Sequence, residues 1–424
     1  DTVFTSVGSI TQSFKIFNTN NQKLRLSTVQ LMGGNASAFK ININGITAAQ
    51  VNNIELEAND SIYVFVTANI NPSAQNLPFI VNDQILISYN GNNKYIQLQA
   101  YGQNAHFLTN KVIKQDTTWT NDLPYIILGS LQIDTNTILT IEKGCRIYSH
   151  ANAPFLVDGT LKIKGDKNNP VIYTGDRLDA DYKDLPASWP GIYFRATSKE
   201  NVLQYTIVKN ATQAIVADSL PVNNPKVYLQ QCIIDNASDV GILCHNSSIN
   251  AENCLISNCG KNVFISLGGN YQFTHCTIAA YNNIFVPHKF PAVQVNNYND
   301  DNVAKDLTAT FTNCIIWGDY GGSSNEVAID KQGTNSFTVT FDHTLYKVIT
   351  DPAYAIFNSV IKNQDPKFDN IDIDQRIFDF HISDTLAPGI DKGTLTSIII
   401  DLEGNPRPVK LLPDMGCYET KLPN

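Results

Sequence analysis

Six related segments decide the fold of this chain: LQYTIVKN (203–210), LQQCIIDN (229–236), AENCLISN (251–258), FTHCTIAA (273–280), FTNCIIWG (311–318) and FDHTLYKV (341–348). Each segment is centred on one Cys or Thr. Successive central residues are 26, 22, 22, 38 and 30 positions apart. A minimum spacing of 22 with variable insertions is typical of a solenoid in which loops leave one side of each coil.

Apolar and polar residues form columns when these segments are aligned. The alternation is interrupted just before each central residue, which predicts a bend between two strands. Asn210, Asn236 and Asn258, followed later by Gly318, tolerate left-handed backbone and predict a second bend. A third short strand follows in each repeat. Three short strands separated by bends in each repeat predict a right-handed parallel β-helix. A leucine-rich repeat has a similar period, but its L-x-x-L-x-L motif and its helical return do not occur in the sequence.

The composition agrees with an all-β protein. Of the 424 residues, 43% are hydrophobic but only 16% are charged, so uncharged polar side chains must cover the surface. Asn and Thr are abundant and form helices poorly, which excludes helical bundles and coiled coils. The net charge of −9 and the scattered Lys and Arg argue against a nucleic-acid partner. The sequence contains no apolar run long enough for a transmembrane helix.

Residues 1–107 have the pattern of a separate domain. Short alternating stretches such as SFKIFN, LRLSTVQL and IYVFVTANI are separated by turn-forming Asn and Gly, as in an antiparallel β-sandwich. The order of these motifs resembles that of the immunoglobulin-like modules that precede larger domains in exported bacterial proteins. We therefore expect an immunoglobulin-like β-sandwich at 1–107, a β-helix at 108–364 and an irregular C-terminal closing segment at 365–424.

The β-helix motifs also resemble a known superfamily. LTIEKGCRIY (139–148), FLVDGTLKIKGDKNNPVIYTG (155–175) and SWPGIYF (188–194), together with the repeats, are similar to the opening coils of bacterial pectin-lyase-like proteins. Residues 365–419 resemble their closing segment. The superfamily includes polysaccharide lyases, glycoside hydrolases and cell-surface proteins without established chemistry. The resemblance implies an exported bacterial lipoprotein, at the cell surface or outer membrane or in the periplasm, with a lipid anchor upstream of residue 1.

The cysteines follow the repeat. One column holds Thr206, Cys232, Cys254, Cys276, Cys314 and Thr344. Such a stack of small side chains predicts an inward ladder that fills the core. Parallel Cβ vectors disfavour disulfides within it, and a one-dimensional stack does not surround a metal ion. The pairing of the remaining cysteines is left open: Cys145, Cys244, Cys259 and Cys417.

One outward column supplies the catalytic candidates. After the third strand of successive repeats stand Asp218, His245, Leu267 and His288. Asp and His are common general acids and bases, and the insertion at 287–307 predicts a cleft wall beside His288. Leu267 interrupts the row, and the sequence contains no recognised catalytic motif. Asp218, His245 and His288 are therefore candidates on residue type and position alone.

Acidic loops offer hard oxygen ligands. In the 287–307 insertion, Asp300, Asp301 and Asp306 suit Ca²⁺, although a solvated polar loop explains them as well. No other cofactor is expected. A second acidic loop at 175–191 includes Asp184, and its acid spacing lacks the Gly and the closing Glu of an EF-hand.

Aromatic residues near the fifth repeat suggest a ligand surface. Trp317 and Tyr320 flank Asp319 in WGDYGG, where a loop leaves the coil, and such side chains suit stacking against sugar rings. Aromatic caps over the edge of the solenoid explain them equally well. The first-bend column, which includes His275, is expected on the outside of the coil.

These observations predict two functions. The first is a non-catalytic module of the cell surface that binds a polysaccharide, another glycan or a surface partner along its flank. The alternative is a polysaccharide lyase or glycoside hydrolase that works in a groove beside the 287–307 loop. We favour the first, because no column of the sequence joins a catalytic base to a carboxylate cluster.

Overall fold

The computed structural model describes residues 2–4, 11–70, 79–179, 182–219 and 225–420. Over these residues it is built from β-strands, with one turn of 3-10 helix at Gly34–Ala36. Among the described residues, none belongs to a helix long and apolar enough to span a membrane. The chain divides into two compact units, residues 1–106 with 178–180, and residues 107–177 with 181–424.

The first unit is a β-sandwich. Its strands are β1 (Thr2–Phe4), β2 (Gln12–Phe17), β3 (Leu24–Leu31), β4 (Phe39–Ile43), β5 (Ile46–Thr47), β6 (Gln50–Leu56), β7 (Ser61–Ala68), β8 (Phe79–Tyr89) and β9 (Asn92–Gln103). One sheet has the order β1-β9-β8-β3-β6 and the other β2-β7-β4-β5. Alternate residues point inward, so Val29 and Ile85 of one sheet share a hydrophobic core with Ile41 and Val64 of the other.

The second unit consists of stacked short strands and a C-terminal hairpin. Its strands are β10 (His106–Ile113), β11 (Thr117–Trp119), β12 (Tyr125–Ile133), β13 (Ile138–Glu142), β14 (Arg146–Ser149), β15 (Phe155–Val157), β16 (Thr160–Lys164), β17 (Val171–Gly175), β18 (Ile192–Phe194), β19 (Asn201–Gln204), β20 (Thr206–Lys209), β21 (Gln213–Asp218), β22 (Val227–Gln230), β23 (Ile233–Asp235), β24 (Val240–Glu252), β25 (Leu255–Ser257), β26 (Lys261–Thr274), β27 (Thr277–Tyr281), β28 (Val293–Asn296), β29 (Leu307–Thr312), β30 (Ile315–Asp319), β31 (Val327–Asp330), β32 (Phe337–Asp342), β33 (Leu345–Tyr346), β34 (Ala355–Asn358), β35 (Ile361–Lys362), β36 (Asn370–Asp372) and β37 (Ile377–Asp379).

Strands β11 to β35 stack in parallel and in register from coil to coil, whereas β36 and β37 form an antiparallel hairpin. Strands β19, β20 and β21 form one coil, and each pairs with its equivalent in the next coil, β22, β23 and the first half of β24. The coils therefore have three faces, which we call first, second and third in chain order. The predicted fold class, an all-β chain with a β-sandwich followed by a parallel β-helix, is confirmed.

The interior is a stack of like residues. Phe273, Phe311 and Phe341 of the first face lie ring upon ring, with centroids 4.9 and 5.0 Å apart and interplanar angles of 8° and 9°. The predicted thiol ladder lies beside them, and its four cysteines are buried. Each thiol contacts the carbonyl oxygen two residues earlier, as Cys254 does with Glu252 at 3.3 Å. The Thr344 hydroxyl donates to the equivalent carbonyl, which explains why Thr replaces Cys in this column.

Left-handed residues form both bends. At the first bend, φ is 43° for Tyr205 and 53° for His275, and at the second it is 60° for Asn236. Gly318 differs from the prediction, because β30 continues through it and the left-handed residue is Tyr320. Gly318 is small for another reason, since a Cβ there would lie 2.5 Å from the His288 side chain.

The C-terminal segment packs along the second face. Leu255, Ala279, Ile315 and Leu345, which point outward from successive coils, form a second core with residues after 367 such as Met415. Hydrogen bonds fix the segment to the first bends, where the Asn253 amide donates to Ile400 O at 2.7 Å and Thr394 N donates to Asn313 Oδ1 at 2.7 Å. The segment therefore covers a flank over several coils.

His275 corrects one expectation. It lies in the first-bend column but is fully buried beneath the C-terminal segment, where Arg407 donates to its Nδ1 atom. Burial, and then the nearby Arg407 charge, lower the pKa of His275 to about 2. The first bend is therefore an outer surface only in coils that the segment leaves uncovered.

The free thiols give a direct test of the packing. All eight cysteines are buried, and burial raises the pKa of Cys145 to about 11 and that of Cys417 to about 12. Thiolates are the reactive form, so we expect no maleimide labelling of the native protein at mildly alkaline pH and labelling of all eight cysteines in denaturant. Mass spectrometry counts the labels, and rapid labelling of a native thiol would contradict the described core.

Candidate functional site

Two catalytic candidates lie side by side on the third face. Asp218 of β21 pairs in register with His245 of β24, and His245 pairs with Ser266 of β26. The Ser266 hydroxyl and His245 Nδ1 are 2.5 Å apart. Register also places Asn296 of β28 beyond Ser266. The outward column is therefore continuously polar here, and Leu267, with φ of 62°, lies at the following bend rather than in the row.

His288 does not belong to this column. It lies in the loop between β27 and β28, where its Nε2 atom is 3.1 Å from Glu326 Oε2. Both side chains are buried, and Glu326 also accepts a hydrogen bond from Ala292 N. The assignment of His288 to the row of Asp218 and His245 was wrong, because residues 284–288 do not form the third strand of their coil; β28 does.

The predicted aromatic ligand surface is only partly exposed. Trp317 is 5% exposed and packs in the core beneath the C-terminal segment, with Lys347 Nζ 5.3 Å from the centre of its ring. Of the two alternatives for Trp317, this burial fits an aromatic cap over the edge of the solenoid rather than a ring face open to a ligand. Asp319 is 3.2 Å from Lys347 Nζ, and Tyr320 is 63% exposed.

The three aspartates proposed for calcium, Asp300, Asp301 and Asp306, are exposed and lie on different turns. Asp306 Oδ1 accepts hydrogen bonds from Ser336 N at 2.9 Å and from the Asn335 amide at 3.3 Å, which fixes the turn before β32. Asp300 and Asp301 lie on the exposed turn between β28 and β29. Over the described ranges, no three His, Cys, Asp or Glu residues are grouped so as to hold a metal ion.

A polar cavity of about 240 Å³ lies instead at the second bend. Its floor is the asparagine ladder, Asn210, Asn236 and Asn258. The left-handed backbone at each position brings successive amides together, so that Asn236 Nδ2 donates to Asn210 Oδ1 at 2.8 Å. We call this space the amide cavity.

The ladder also holds the second acidic loop in place. Asn210 Nδ2 donates to Lys183 O at 2.8 Å, and Asn236 Nδ2 donates to Asp184 O at 2.9 Å. These bonds set Asp184 on the rim of the amide cavity. Asparagine therefore has two roles here: its backbone makes the bend, and its side chain orients a neighbouring loop.

A carboxylate and an amine from adjacent coils lie on the floor. Lys209 Nζ is 3.8 Å from Asp235 Oδ2, and the Ser257 hydroxyl donates to Asp235 Oδ1 at 2.8 Å. Burial raises the pKa of Asp235, the Lys209 charge opposes this shift, and the Asp184 charge adds to it. Asp235 therefore holds a proton more readily than an exposed aspartate.

The opposite wall comes from the β36–β37 hairpin. Arg376 and Phe378 line the amide cavity, and the Arg376 guanidinium lies 4.4 Å from the centre of the Phe285 ring. Among the described lining residues, two carboxylates face two cations, beside several amides and one aromatic ring. The sequence analysis found the asparagine column and the acidic loop but not this wall, which residues far along the chain provide.

Comparison with protein-family models gives no match, and comparison with curated proteins gives none either. Among solved structures, one match is a family 123 glycoside hydrolase from Clostridium perfringens, analysed for glycolipid glycan hydrolysis, at 10% identity and a TM-score of 0.18. That match covers 28% of this chain and only 25% of the hydrolase chain.

Another match is the catalytic unit of a thermostable GH87 alpha-1,3-glucanase from Streptomyces thermodiastaticus strain HF3-3. It is 12% identical over 83% of this chain and 88% of that chain, with a TM-score of 0.28. Both TM-scores are too low to support any inference about the activity of this chain.

Asn236 tests the construction of the ladder. Asn236→Gly removes the amide but keeps φ of 60° accessible, whereas Asn236→Ala removes the amide and also strains the backbone. We expect both variants to loosen residues 182–187, and the Ala variant to unfold with about 1 kcal/mol less free energy than the Gly variant. Hydrogen exchange and urea titration measure the two effects. Equal stability of both variants would contradict the left-handed bend.

Proposed function

We propose that this chain is a carbohydrate-binding β-helix protein and that the amide cavity holds part of a glycan. The observation that carries this proposal is the lining: amides of a fixed ladder, Asp184, Asp235, Lys209 and Arg376 surround one space beside the ring of Phe378. Sugar hydroxyls donate and accept hydrogen bonds together, and a sugar's C–H face packs on an aromatic ring. The volume suits a short part of a chain, because sites for whole drug-sized ligands start at about 300 Å³.

The charges of the cavity favour a neutral glycan. Two carboxylates and two cations cancel among the described lining residues, so the cavity offers no net positive charge to a polyuronate. Asp235 already has the Lys209 amine beside it. A neutral hydroxyl can replace water between such groups without leaving a buried charge unpaired.

Export to a bacterial cell surface and a spacer role for the N-terminal sandwich complete the proposal. The resemblance of the β-helix to pectin-lyase-like proteins supports export, and the resemblance of the sandwich to immunoglobulin-like modules that precede larger domains in exported bacterial proteins supports the spacer role. Calcium has no role in the amide cavity as we propose it.

Phe378 tests glycan binding. The panel consists of starch, laminarin, xylan and galactomannan as neutral polysaccharides, with polygalacturonate and alginate as anionic ones. We expect a neutral polysaccharide to bind and Phe378→Ala to weaken it at least tenfold, about 1.4 kcal/mol, through loss of ring stacking. Calorimetry measures the affinity. Phe290→Ala, which removes a ring that is 47% exposed on another loop, is the matched control and should bind as the wild type does.

Binding of polyuronates alone, or unchanged binding by Phe378→Ala, would refute a neutral glycan in this cavity.

Hydrolysis is a second candidate function, favoured by one observation. The raised pKa of Asp235 suits a general acid, and Asp184 on the same cavity suits the base or nucleophile of a two-carboxylate mechanism. Glycosidic cleavage would then require protonated Asp235, so the rate should fall as pH rises through this raised pKa.

Asp235→Asn separates hydrolysis from binding. It keeps the shape of the side chain but donates no acidic proton, so we expect the release of reducing ends to fall at least about 100-fold while affinity changes little. Lys331→Met, at a half-buried site directly after β31 and outside the amide cavity, controls for general effects of substitution. Binding by the wild type without release of reducing ends at acidic or neutral pH would leave binding as the function.

A further inference from the structure

A second cavity of about 440 Å³ lies at the other end of the strands that floor the amide cavity. Its lining includes Tyr205 and Ile207 at the start of the second-face strand β20, and Gln231 and Ile233 at the start of β23 in the next coil. The C-terminal segment contributes Tyr418. We call this space the tyrosine cavity.

The two cavities share a floor. Strands β20 and β23 pair in parallel, with Ile207 beside Ile233 and Lys209 beside Asp235. Side chains alternate along a strand, so these four half-buried residues point outward from the same two strands. The isoleucines line the tyrosine cavity, and Lys209 and Asp235, two residues further on, line the amide cavity.

The two cavities also share their walls. Residues after 374 form one wall, with Glu403 and Tyr418 at the tyrosine cavity and Arg376 at the amide cavity. Loops of the preceding coil form the other wall, at 167–170 and at Asp184. From Tyr205 to Asn210, the floor is about 17 Å long at about 3.3 Å per residue.

We infer that the two cavities are the ends of one cleft, and that its ligand is an oligosaccharide lying along β20 and β23, across the axis of the β-helix. This inference rests on the proposed function and extends it. One end of the chain occupies the amide cavity, the middle lies on Ile207 and Ile233, and the other end lies against Tyr205 and Tyr418. The cleft thus selects a chain of several sugars.

The side chains of the tyrosine cavity are arranged for such a ligand. His381 packs against Tyr418 in a tilted arrangement with ring centroids 3.9 Å apart, and its Nε2 atom is 3.1 Å from Glu403 Oε1. These contacts fix an aromatic ring and a carboxylate at one end of an aliphatic floor. Sugar rings present C–H faces to such a floor and hydroxyl groups to such ends.

An extended peptide fits this cleft less well. Peptides that bind sheets usually pair with a free strand edge, whereas β20 and β23 use their backbone groups in the ladder with neighbouring coils. Nucleic acid is disfavoured by the balanced charge of the amide cavity. An uncharged polyhydroxylated chain matches both ends and the floor.

The test uses fragments of the neutral polysaccharide that binds best in the panel above, prepared from the disaccharide upward. We expect affinity to rise with fragment length until the fragment spans both cavities and then to stay constant. Tyr205→Asn removes the ring but keeps a residue type that occupies this left-handed bend at Asn253 and Asn313. It should weaken long fragments at least tenfold and leave the disaccharide unchanged.

Tyr354→Asn is the matched control. It makes the same change at another left-handed tyrosine, with φ of 64°, outside the cleft, and should bind every fragment as the wild type does. Affinity that is independent of length, or long fragments unaffected by Tyr205→Asn, would overturn the cleft while leaving Phe378-dependent binding intact. If no neutral polysaccharide of the panel binds, the proposed function fails and the cleft fails with it.

Discussion

The structure depends on one constraint, the parallel in-register pairing of each strand with its equivalent in the next coil. Register places like residues above one another about 4.8 Å apart, so a choice made at one position is repeated along the whole unit. Aromatic rings then stack on rings, as Phe273, Phe311 and Phe341 do. Thiols follow thiols, and left-handed residues recur at the bends. Even the amide cavity is a product of this repetition, since its floor is a column of asparagines.

Covering the second face is the other requirement. Its outward residues include Leu255, Ile315 and Leu345, which a solvated coil would expose to water. The C-terminal segment buries them. Beneath it lies His275, which contacts Arg407 of the segment, and Arg407 lies 3.4 Å from Glu419 of the same segment. Where the segment stops covering the face, its margin becomes the wall of both cavities. The proposed site thus arises where two coils are left open.

The fold was predictable from sequence because in-register stacking requires similar residues at equivalent positions of each coil, and these positions appear in the sequence as aligned columns. The positions of Asp218 and His245 followed from the same columns, and the register pairs them. The misplacement of His288, Trp317 and His275 has two physical causes. The run of apolar residues at 284–287 has the composition of a buried strand but forms a loop that ends at His288, which pairs with the buried Glu326. The burial of Trp317 and His275 depends on contacts from the C-terminal segment, which is distant in sequence. Such contacts produce no periodic pattern in the sequence around these residues.

The C-terminal segment has a further consequence for the length of the protein. It is anchored at Asn253 through Ile400 and at Asn313 through Thr394 and Gly416, two coils apart along the axis. A coil inserted between these anchors would displace one of them by about 4.8 Å, more than a hydrogen bond can follow. The irregular segment therefore fixes the number of coils between its two anchors. Solenoids can gain repeats by duplication and lose them by deletion, but here such a change between Asn253 and Asn313 would break the hydrogen bonds that hold the C-terminal segment.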